Sequence, residues 1–287
     1  ALLACWVLTR VPRRGPRRLL VADVHENYAD LLRDRAWAQG FSGRVALGLV
    51  RAAARVAGSS DLTLVADDHV EPTRARERIV VRNEPDIGLL GPPSIPGAEP
   101  RAVYVGDTRA SRGLFEMIEA VGDAPGWTLD IVGELARADR SRLESVLRRA
   151  DLAGRVRVHG RRPPTESWEI ARGAWVGFAL LHDTPAFREA IPSKLYEYLA
   201  LGIVPIVSDL PRQRGLLEEA GAGLVVEGGA PGAGLAAGAA EHLRRIRADP
   251  DLLTPHRDAA LAWRRERDEL GSGYDRAAER IAALLGR

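Results

Sequence analysis

The most constraining feature of this chain is a regular alternation of short apolar runs and helix-period segments after residue 101. Short apolar runs predict buried strands, and apolar residues at every third or fourth position predict helices. The runs occupy 102–105, 129–132, 156–159, 176–181, 204–207 and 224–226, and the helix-period segments lie near 112–122, 139–150, 165–173, 193–201, 212–220 and 235–248. Such an alternation predicts an α/β fold, with a parallel sheet covered by helices on both faces.

Sheets of this kind bind ligands beyond the carboxyl ends of their strands. We therefore expect the loops that follow these strands to form the binding site. Three of the loops open with glycine, at Gly106, Gly133 and Gly160. Glycine lets the main chain approach a ligand closely, but a tight turn explains each of these positions equally well.

The first 97 residues are less regular. They contain short apolar runs at 19–24, 62–65 and 79–81. Four prolines and three glycines lie between 86 and 100, a composition that predicts an interdomain linker. The predicted organisation is a first domain over 1–97, a second over 98–255 and carboxy-terminal helices over 256–287 that cross back to the first domain.

Composition argues against several classes of protein. The 41 basic and 39 acidic residues leave a net charge of +2, so the chain has no broad positive field for nucleic acid. The one cysteine, Cys5, cannot form an internal disulfide, and the six histidines lack the spacing of a zinc site. No apolar stretch reaches the roughly 20 residues that a membrane-spanning helix needs.

A single lysine, Lys194, stands out among the 41 basic residues, of which the other 40 are arginine. A lysine retained in such a chain suggests a position where a planar guanidinium does not replace a compact ammonium. Pro192 fits a first helical turn, Ser193 can cap it, and Gly202 fits the end of the helix. Free N–H groups, the positive end of the helix dipole and an ammonium would converge here, as a phosphate ester or diphosphate requires.

Two carboxylates flank this helix start, Glu189 before it and Glu197 in its second turn. A carboxylate that accepts from vicinal hydroxyls is a natural partner for a ribose or hexose. The two glutamates, with the segment PSKLYEYLALG between 192 and 202, resemble the E-x7-E signature of retaining glycosyltransferases with the GT-B fold. This group includes glycogen synthases and bacterial cell-envelope glycosyltransferases. Three further segments resemble the family in the expected order: ADVHEN at 22–27, YVGDTRASRGLFEMIEA at 104–120 and LDIVGE at 129–134.

The resemblance implies two Rossmann-like, doubly wound domains, of which the first is incomplete at its amino terminus. It places Glu197 on the ribose hydroxyls of a nucleotide sugar, and it makes Glu189 and His25 the catalytic residues at the donor sugar. The donor-binding residues that it implies are Gly106, Arg109, Arg112, Gly160, Ala190, Ile191, Ser193, Lys194 and Glu197. The family has a second basic residue directly after the first glycine, where this chain has Asp107. Either Arg109 or Lys194 would then supply the missing charge.

The implied activity is the transfer of a sugar from a nucleoside diphosphate donor, with retention of configuration and without metal or cofactor. The expected partners are that donor and a glycan or lipid-linked acceptor of envelope polysaccharide or glycolipid synthesis, and not nucleic acid. We expect a cytoplasmic protein with peripheral association at the inner face of the membrane. The missing front part and Asp107 leave an alternative, a non-catalytic relative that binds a nucleotide sugar or a partner protein. A nucleotide-sugar epimerase would need further acid and base residues that we cannot place.

Overall fold

The computed structural model describes residues 2–11, 18–25, 28–33, 40–82, 84–227, 232–270 and 273–286. The chain forms two compact units, one of residues 1–84 with 270–287 and the other of residues 85–269. Each unit contains one sheet, and every strand pairing in both sheets is parallel. The α/β class predicted from the alternating pattern is confirmed.

The first unit holds a three-stranded sheet in the order β1-β2-β3. Its elements are α1 (Leu2–Arg10), β1 (Val21–Val24), α2 (Tyr28–Arg33), α3 (Phe41–Gly58), β2 (Leu62–Val65) and β3 (Arg78–Val80). Leu62 and Val65 are fully buried, and the Thr63 hydroxyl donates to the Ala57 carbonyl at 2.7 Å, which ties β2 to α3. The last helix, Gly273–Leu284, packs on β3 within this unit, and Arg280 forms an ion pair with Glu77.

The second unit holds a six-stranded sheet in the order β6-β5-β4-β7-β8-β9. Its strands are β4 (Arg101–Val105), β5 (Thr128–Val132), β6 (Val156–Gly160), β7 (Val176–Ala179), β8 (Val204–Ser208) and β9 (Leu224–Val226). Its helices are α4 (Leu114–Gly122), α5 (Arg140–Leu147), α6 (Pro164–Ala171), α7 (Pro185–Arg188), α8 (Ser193–Leu201), α9 (Pro211–Ala220), α10 (Ala233–Ala248) and α11 (Thr254–Leu270), and the last helix of the chain is α12. All six strands fall where the apolar runs predict them.

Helices cover both faces of this larger sheet. One core joins α4 and α10 around the fully buried Trp127, and the other joins α6, α8 and α11 around Tyr198. The strands between these cores are buried on both sides, which explains their unbroken apolar runs. Gly177 in β7 has a packing role, since a Cβ there would lie 2.6 Å from the Tyr198 ring.

The proline-rich segment 86–100 clusters with the second unit, and the two units divide between 84 and 85 rather than at 97/98. Hydrogen bonds fasten the segment there. The Ser94 N–H donates to the Leu201 carbonyl at 2.8 Å, and the Ser94 hydroxyl accepts from the Gly173 N–H at 2.6 Å. Proline and glycine content indicates irregular main chain, but it does not distinguish a free linker from a strap bound to a domain.

The carboxy-terminal helices divide between the two units. Helix α11 stays with the second unit, where Arg257 donates to the Gly202 carbonyl at 2.7 Å and Arg264 donates to the Ala200 carbonyl at 2.8 Å. Helix α12 alone belongs to the first unit. No helix in the described ranges is both long and apolar enough to cross a membrane.

Candidate functional site

The loops after β4 and β5 pack directly on each other at the carboxyl edge of the larger sheet. A Cβ at Gly133 would lie 1.7 Å from the Gly106 carbonyl oxygen, and Gly133 adopts a φ of 155°. The Thr108 N–H donates to the Glu134 carbonyl at 2.9 Å. Close contact between main chains therefore requires the glycine at 133, and it brings the two loops together as one wall of a cleft.

Helix α8 provides a second wall. Pro192 occupies the cap position with extended backbone, and no side chain caps the helix. The prediction that Ser193 caps the helix is therefore wrong, because Ser193 is already its first residue. Among the described residues, no side chain accepts from the N–H groups of Ser193 and Lys194, which suits them to bind an anion, whereas the Leu195 N–H donates to the Pro192 carbonyl at 3.0 Å. Gly202 ends the helix in the left-handed conformation, as predicted.

Between these walls lies a cleft of about 920 Å³. Its basic lining residues are Arg109, Arg112, Arg137, Arg161, Arg162 and Lys194, and its acidic ones are Asp107, Glu134 and Glu197. Cationic side chains therefore outnumber carboxylates. A concave surface with an excess of positive charge favours an anionic ligand, because the low-dielectric walls focus the positive field into the cleft.

Lys194 lies at the inner end of this lining and is only 5% exposed. Its Nζ is 3.6 Å from the centre of the Tyr104 ring, a cation–π contact, and among the described residues it has no hydrogen-bond partner. Burial, followed by the charge of Arg112, holds the pKa of Lys194 well below its usual value. A buried amine without an acceptor is costly, so the site favours a ligand that supplies one.

Glu197 is one helical turn beyond Lys194 and also lines the cleft. Burial raises the pKa of Glu197 to about 7, although the charge of Lys194 lowers it. The carboxyl group therefore changes charge near neutral pH. When ionised, it can accept hydrogen bonds from two hydroxyls of a ligand.

Arg112 is held by the turn that begins α4. Its neighbour Gly113 is left-handed, and a Cβ there would lie 2.2 Å from the Leu180 carbonyl oxygen, so only glycine allows this close approach. The Asp107 carboxylate forms ion pairs with both Arg112, at 3.4 Å, and Arg109. Both residues that could supply the missing basic charge, Arg109 and Lys194, line the cleft.

The cleft brings together six of the nine predicted donor-binding residues: Gly106, Arg109, Arg112, Ser193, Lys194 and Glu197. Gly160 ends β6 directly before the lining residue Arg161. Ala190 and Ile191 lie in the loop that leads to α8. This loop follows the short helix α7, which is capped by Thr184: its hydroxyl accepts from the Phe187 N–H at 3.2 Å.

The two predicted catalytic residues lie outside the cleft lining. Glu189 is exposed and follows directly after α7. His25 follows β1 in the first unit, where its Nε2 is 2.9 Å from Asp23 Oδ2. Their roles remain predictions.

Several lining residues were not identified from the sequence. Arg137, Arg161 and Arg162 lie on loops that are predicted to form the site. Their positions after the strands could have identified them, but the chain has 40 arginines and residue type alone does not single these three out. Ser167 and Trp168 come from helix α6, for which the sequence offers no such signal. Trp168 packs edge-on against Tyr198, with ring centres 5.9 Å apart.

The family model for glycosyl transferases group 1 matches residues 91–253, more than half of the chain. The chain belongs to this family. No curated protein has significant sequence similarity to this glycosyltransferase. The family match spans β4 to β9 and therefore includes both walls of the cleft.

Solved glycosyltransferase structures share the fold across nearly the whole chain. HepE of Anabaena in complex with UDP gives a TM-score of 0.69 at 15% identity, covering 98% of this chain and 76% of HepE. Sucrose-phosphate synthase of Thermosynechococcus elongatus gives 0.65 at 18% identity, covering 99% and 70%. WaaG, a glycosyltransferase involved in lipopolysaccharide biosynthesis, gives 0.60 at 15% identity, covering 96% and 80%. The predicted GT-B fold is confirmed.

Proposed function

We propose that this glycosyltransferase takes a sugar from a nucleoside diphosphate donor and transfers it with retention of the anomeric configuration. The observation that carries the proposal is a convergence in one cleft of Arg109, Arg112, the start of α8 and the buried Lys194. Among the described residues, no side chain caps this helix start and Lys194 Nζ has no hydrogen-bond partner. Negative charge builds on the diphosphate as the anomeric bond breaks. N–H groups and cationic side chains that are fixed in position before the reaction stabilise that charge without having to reorganise.

The remaining roles follow the family pattern. Glu197 would accept from the ribose hydroxyls, and Glu189 would hold the donor sugar beyond the diphosphate. His25 would help to place the donor sugar through its main chain or side chain. Deprotonation of the acceptor would be assisted by the leaving phosphate on the same face of the sugar, and the reaction would proceed without a metal. The E-x7-E spacing and the solved complexes of HepE with UDP and with UDP-glucose support this assignment.

Nucleotide binding can be tested by thermal unfolding of the chain with UDP, GDP or ADP. A ligand at 100 times its Kd stabilises the folded state by about 2.7 kcal/mol, which is readily measured as a higher Tm. Lys194→Ala, which removes the buried amine, should abolish most of the shift. No shift with any of the three nucleotides would refute nucleotide-sugar binding.

Retention can be tested by incubating the matching nucleotide sugar with candidate acceptors and assigning the anomeric proton of the product by NMR. A product with the donor's configuration supports the proposal, and an inverted product contradicts the retaining assignment. Nucleotide binding without transfer to any acceptor would support the non-catalytic alternative.

We also propose that the acceptor belongs to envelope polysaccharide or glycolipid synthesis and that the protein works at the cytoplasmic face of the membrane. Helix α3 supports this proposal, because Phe41 and Leu49 are 81% and 61% exposed. Val45 extends the same ridge, and the exposed Arg44 and Arg55 lie on one side of it by helical spacing. An apolar ridge beside basic residues matches the interface of an anionic bilayer.

Sedimentation with vesicles tests the membrane proposal. We expect binding to vesicles that contain phosphatidylglycerol and weak binding to pure phosphatidylcholine. Replacing Phe41 and Leu49 with serine should release the protein. Ile95→Ser is the matched control, because Ile95 is 86% exposed but lies in the second unit. Equal binding by the α3 double variant would refute the role of α3.

A further inference from the structure

Asp107 is the acidic residue that departs from the family pattern, and its side chain forms ion pairs with two of the five arginines that line the cleft. One carboxylate oxygen, Oδ2, forms ion pairs with both Nη2 of Arg109 and Nε of Arg112, the second at 3.4 Å. The contact with Arg112 is ionic only, because Arg112 Nε has no hydrogen-bond partner among the described residues. An oxygen of a phosphoryl group makes the same kind of contact with two guanidinium groups. The Asp107 carboxylate therefore lies where a phosphate oxygen of a bound ligand would be expected.

The main chain of Asp107 is fixed, so only its side chain is free to move away. The Tyr104 hydroxyl donates to the Asp107 carbonyl at 2.6 Å. On either side, the Gly106 N–H donates to the Val132 carbonyl at 2.8 Å and the Thr108 N–H donates to the Glu134 carbonyl at 2.9 Å. The Asp107 side chain is 36% exposed, so rotation of the carboxylate towards solvent does not require the loop to unfold.

The amine of the neighbouring Lys194 has no such carboxylate contact among the described residues. Lys194 also lines the cleft, but its Nζ has no hydrogen-bond partner among the described residues and is buried. A ligand with two phosphoryl groups can therefore meet the Lys194 amine at the start of α8 and two arginines that already form ion pairs with Asp107. Binding at the second place requires one anion to replace another.

We propose that Asp107 is an internal counter-anion, which pairs with Arg109 and Arg112 and is displaced by the diphosphate of the donor. This inference rests on the proposed function, since it assigns the exchanged ligand to the donor's diphosphate. The ion pairs with Asp107 keep the two arginines ordered before the donor arrives. They also weaken the binding of any ligand that has too little charge to displace the carboxylate. Asp107 is thus a specificity-determining residue for polyphosphate donors.

Isothermal titration of Asp107→Asn with inorganic pyrophosphate, UDP and uridine tests the exchange. Removing the competing charge should lower the Kd of pyrophosphate and of UDP by up to about fivefold, because an exposed ion pair is worth up to ~1 kcal/mol. The Kd of uridine, which has no phosphate, should not change. Asp107→Ala serves as a second variant, and thermal unfolding verifies that both are folded.

The matched control is Glu134→Gln. Glu134 lines the same cleft, and its removal changes the charge equally, but its carboxylate faces Arg161 at 3.3 Å. It should therefore improve pyrophosphate binding less than Asp107→Asn does. In an Arg109→Ala background the gain from Asp107→Asn should shrink, since one of the exchanged partners is gone.

The outcomes separate the two proposals. A larger gain in pyrophosphate affinity for Asp107→Asn than for Glu134→Gln supports the exchange. Unchanged or weaker binding by Asp107→Asn overturns it, because Asp107 would then orient the arginines rather than compete for them, and an equal gain in both variants reduces the effect to net charge. If the parent protein binds pyrophosphate but none of UDP, GDP and ADP, the nucleotide-sugar assignment fails while the pyrophosphate comparison still decides the exchange.

Discussion

The two glutamates of the E-x7-E spacing lie in contrasting environments. Glu197 is on α8 and lines the cleft, and burial raises its pKa to about 7. Glu189 is in the loop before α8, exposed to solvent and outside the cleft lining. The contrast teaches that equal residue types in one motif can serve different purposes. A helix holds Glu197 in place before a ligand arrives, whereas Glu189 depends on the conformation of its loop.

The largest effect should come from Glu197→Ala. The ribose hydroxyls would lose an ionised acceptor, and a hydrogen bond to a charged group is worth ~1.5–3 kcal/mol, which is roughly a tenfold to hundredfold loss of UDP affinity. Isothermal titration measures the loss. Unchanged affinity in a folded variant would show that Glu197 does not contact the nucleotide and that the two glutamates do not differ in nucleotide binding.

Lys194→Arg should act on both stability and binding. Lys194 Nζ already lies 3.0 Å from where a Cβ on Gly106 would be and 3.6 Å from the centre of the Tyr104 ring, so we expect a larger guanidinium to overfill the space. Overpacking costs about 1–3 kcal/mol, and we expect a lower Tm together with weaker UDP binding. Lys194→Met, which keeps an unbranched side chain one atom shorter and removes the buried amine, should weaken binding without that loss of Tm. A Lys194→Arg variant with the parent's Tm would show that the amine does not fill a tight space.

The pH dependence of binding should distinguish the buried glutamate from the exposed one. Because the pKa of Glu197 is about 7, the carboxylate is ionised above this pH and protonated below it, so the parent's UDP affinity should fall as the pH drops from 8 to 6. Lys194 acts in the opposite direction, because a lower pH favours its cationic form. The difference between the parent and Glu197→Gln isolates the carboxylate, and Glu189→Gln should retain the parent's profile.

The raised pKa of Glu197 also predicts how the stability of the folded state depends on pH. The folded state raises the pKa of Glu197 from 4.5 to about 7, so it favours the protonated form. The contribution to stability is therefore fully present below pH 4.5 and is lost as the pH rises through 7. Thermal unfolding should show that Glu197→Gln gains Tm over the parent between pH 5 and pH 8. A constant difference would contradict the burial of an ionisable carboxyl group.

The smallest effect on nucleotide binding should come from Glu189→Ala. An exposed side chain outside the cleft lining should change UDP affinity by less than about 0.5 kcal/mol, the usual range for surface substitutions. Transfer from the nucleotide sugar should nevertheless fall, since the family pattern places this glutamate on the sugar. A loss of UDP affinity as large as that of Glu197→Ala would show that the loop closes onto the nucleotide and that the two glutamates act together.

The sequence alone determined the α/β class, the six strands of the larger sheet and the helix that bears Lys194 and Glu197. These properties are local, because strand and helix periods are encoded by residues two to four positions apart. The order of motifs along the chain also indicated the family that the comparison over residues 91–253 established.

Tertiary structure alone decided how the site is assembled. Tyr104 on β4 and Lys194 on α8 are 90 positions apart, and they meet because β4 pairs with β7 in the middle of the sheet. The pairing of Asp107 with two arginines, the packing role of Gly133 and the contribution of α6 to the cleft likewise depend on how loops and helices pack. Local periodicity specifies which residues are buried, but it contains no information about which distant residues become neighbours, because strand order is set by packing of the whole domain.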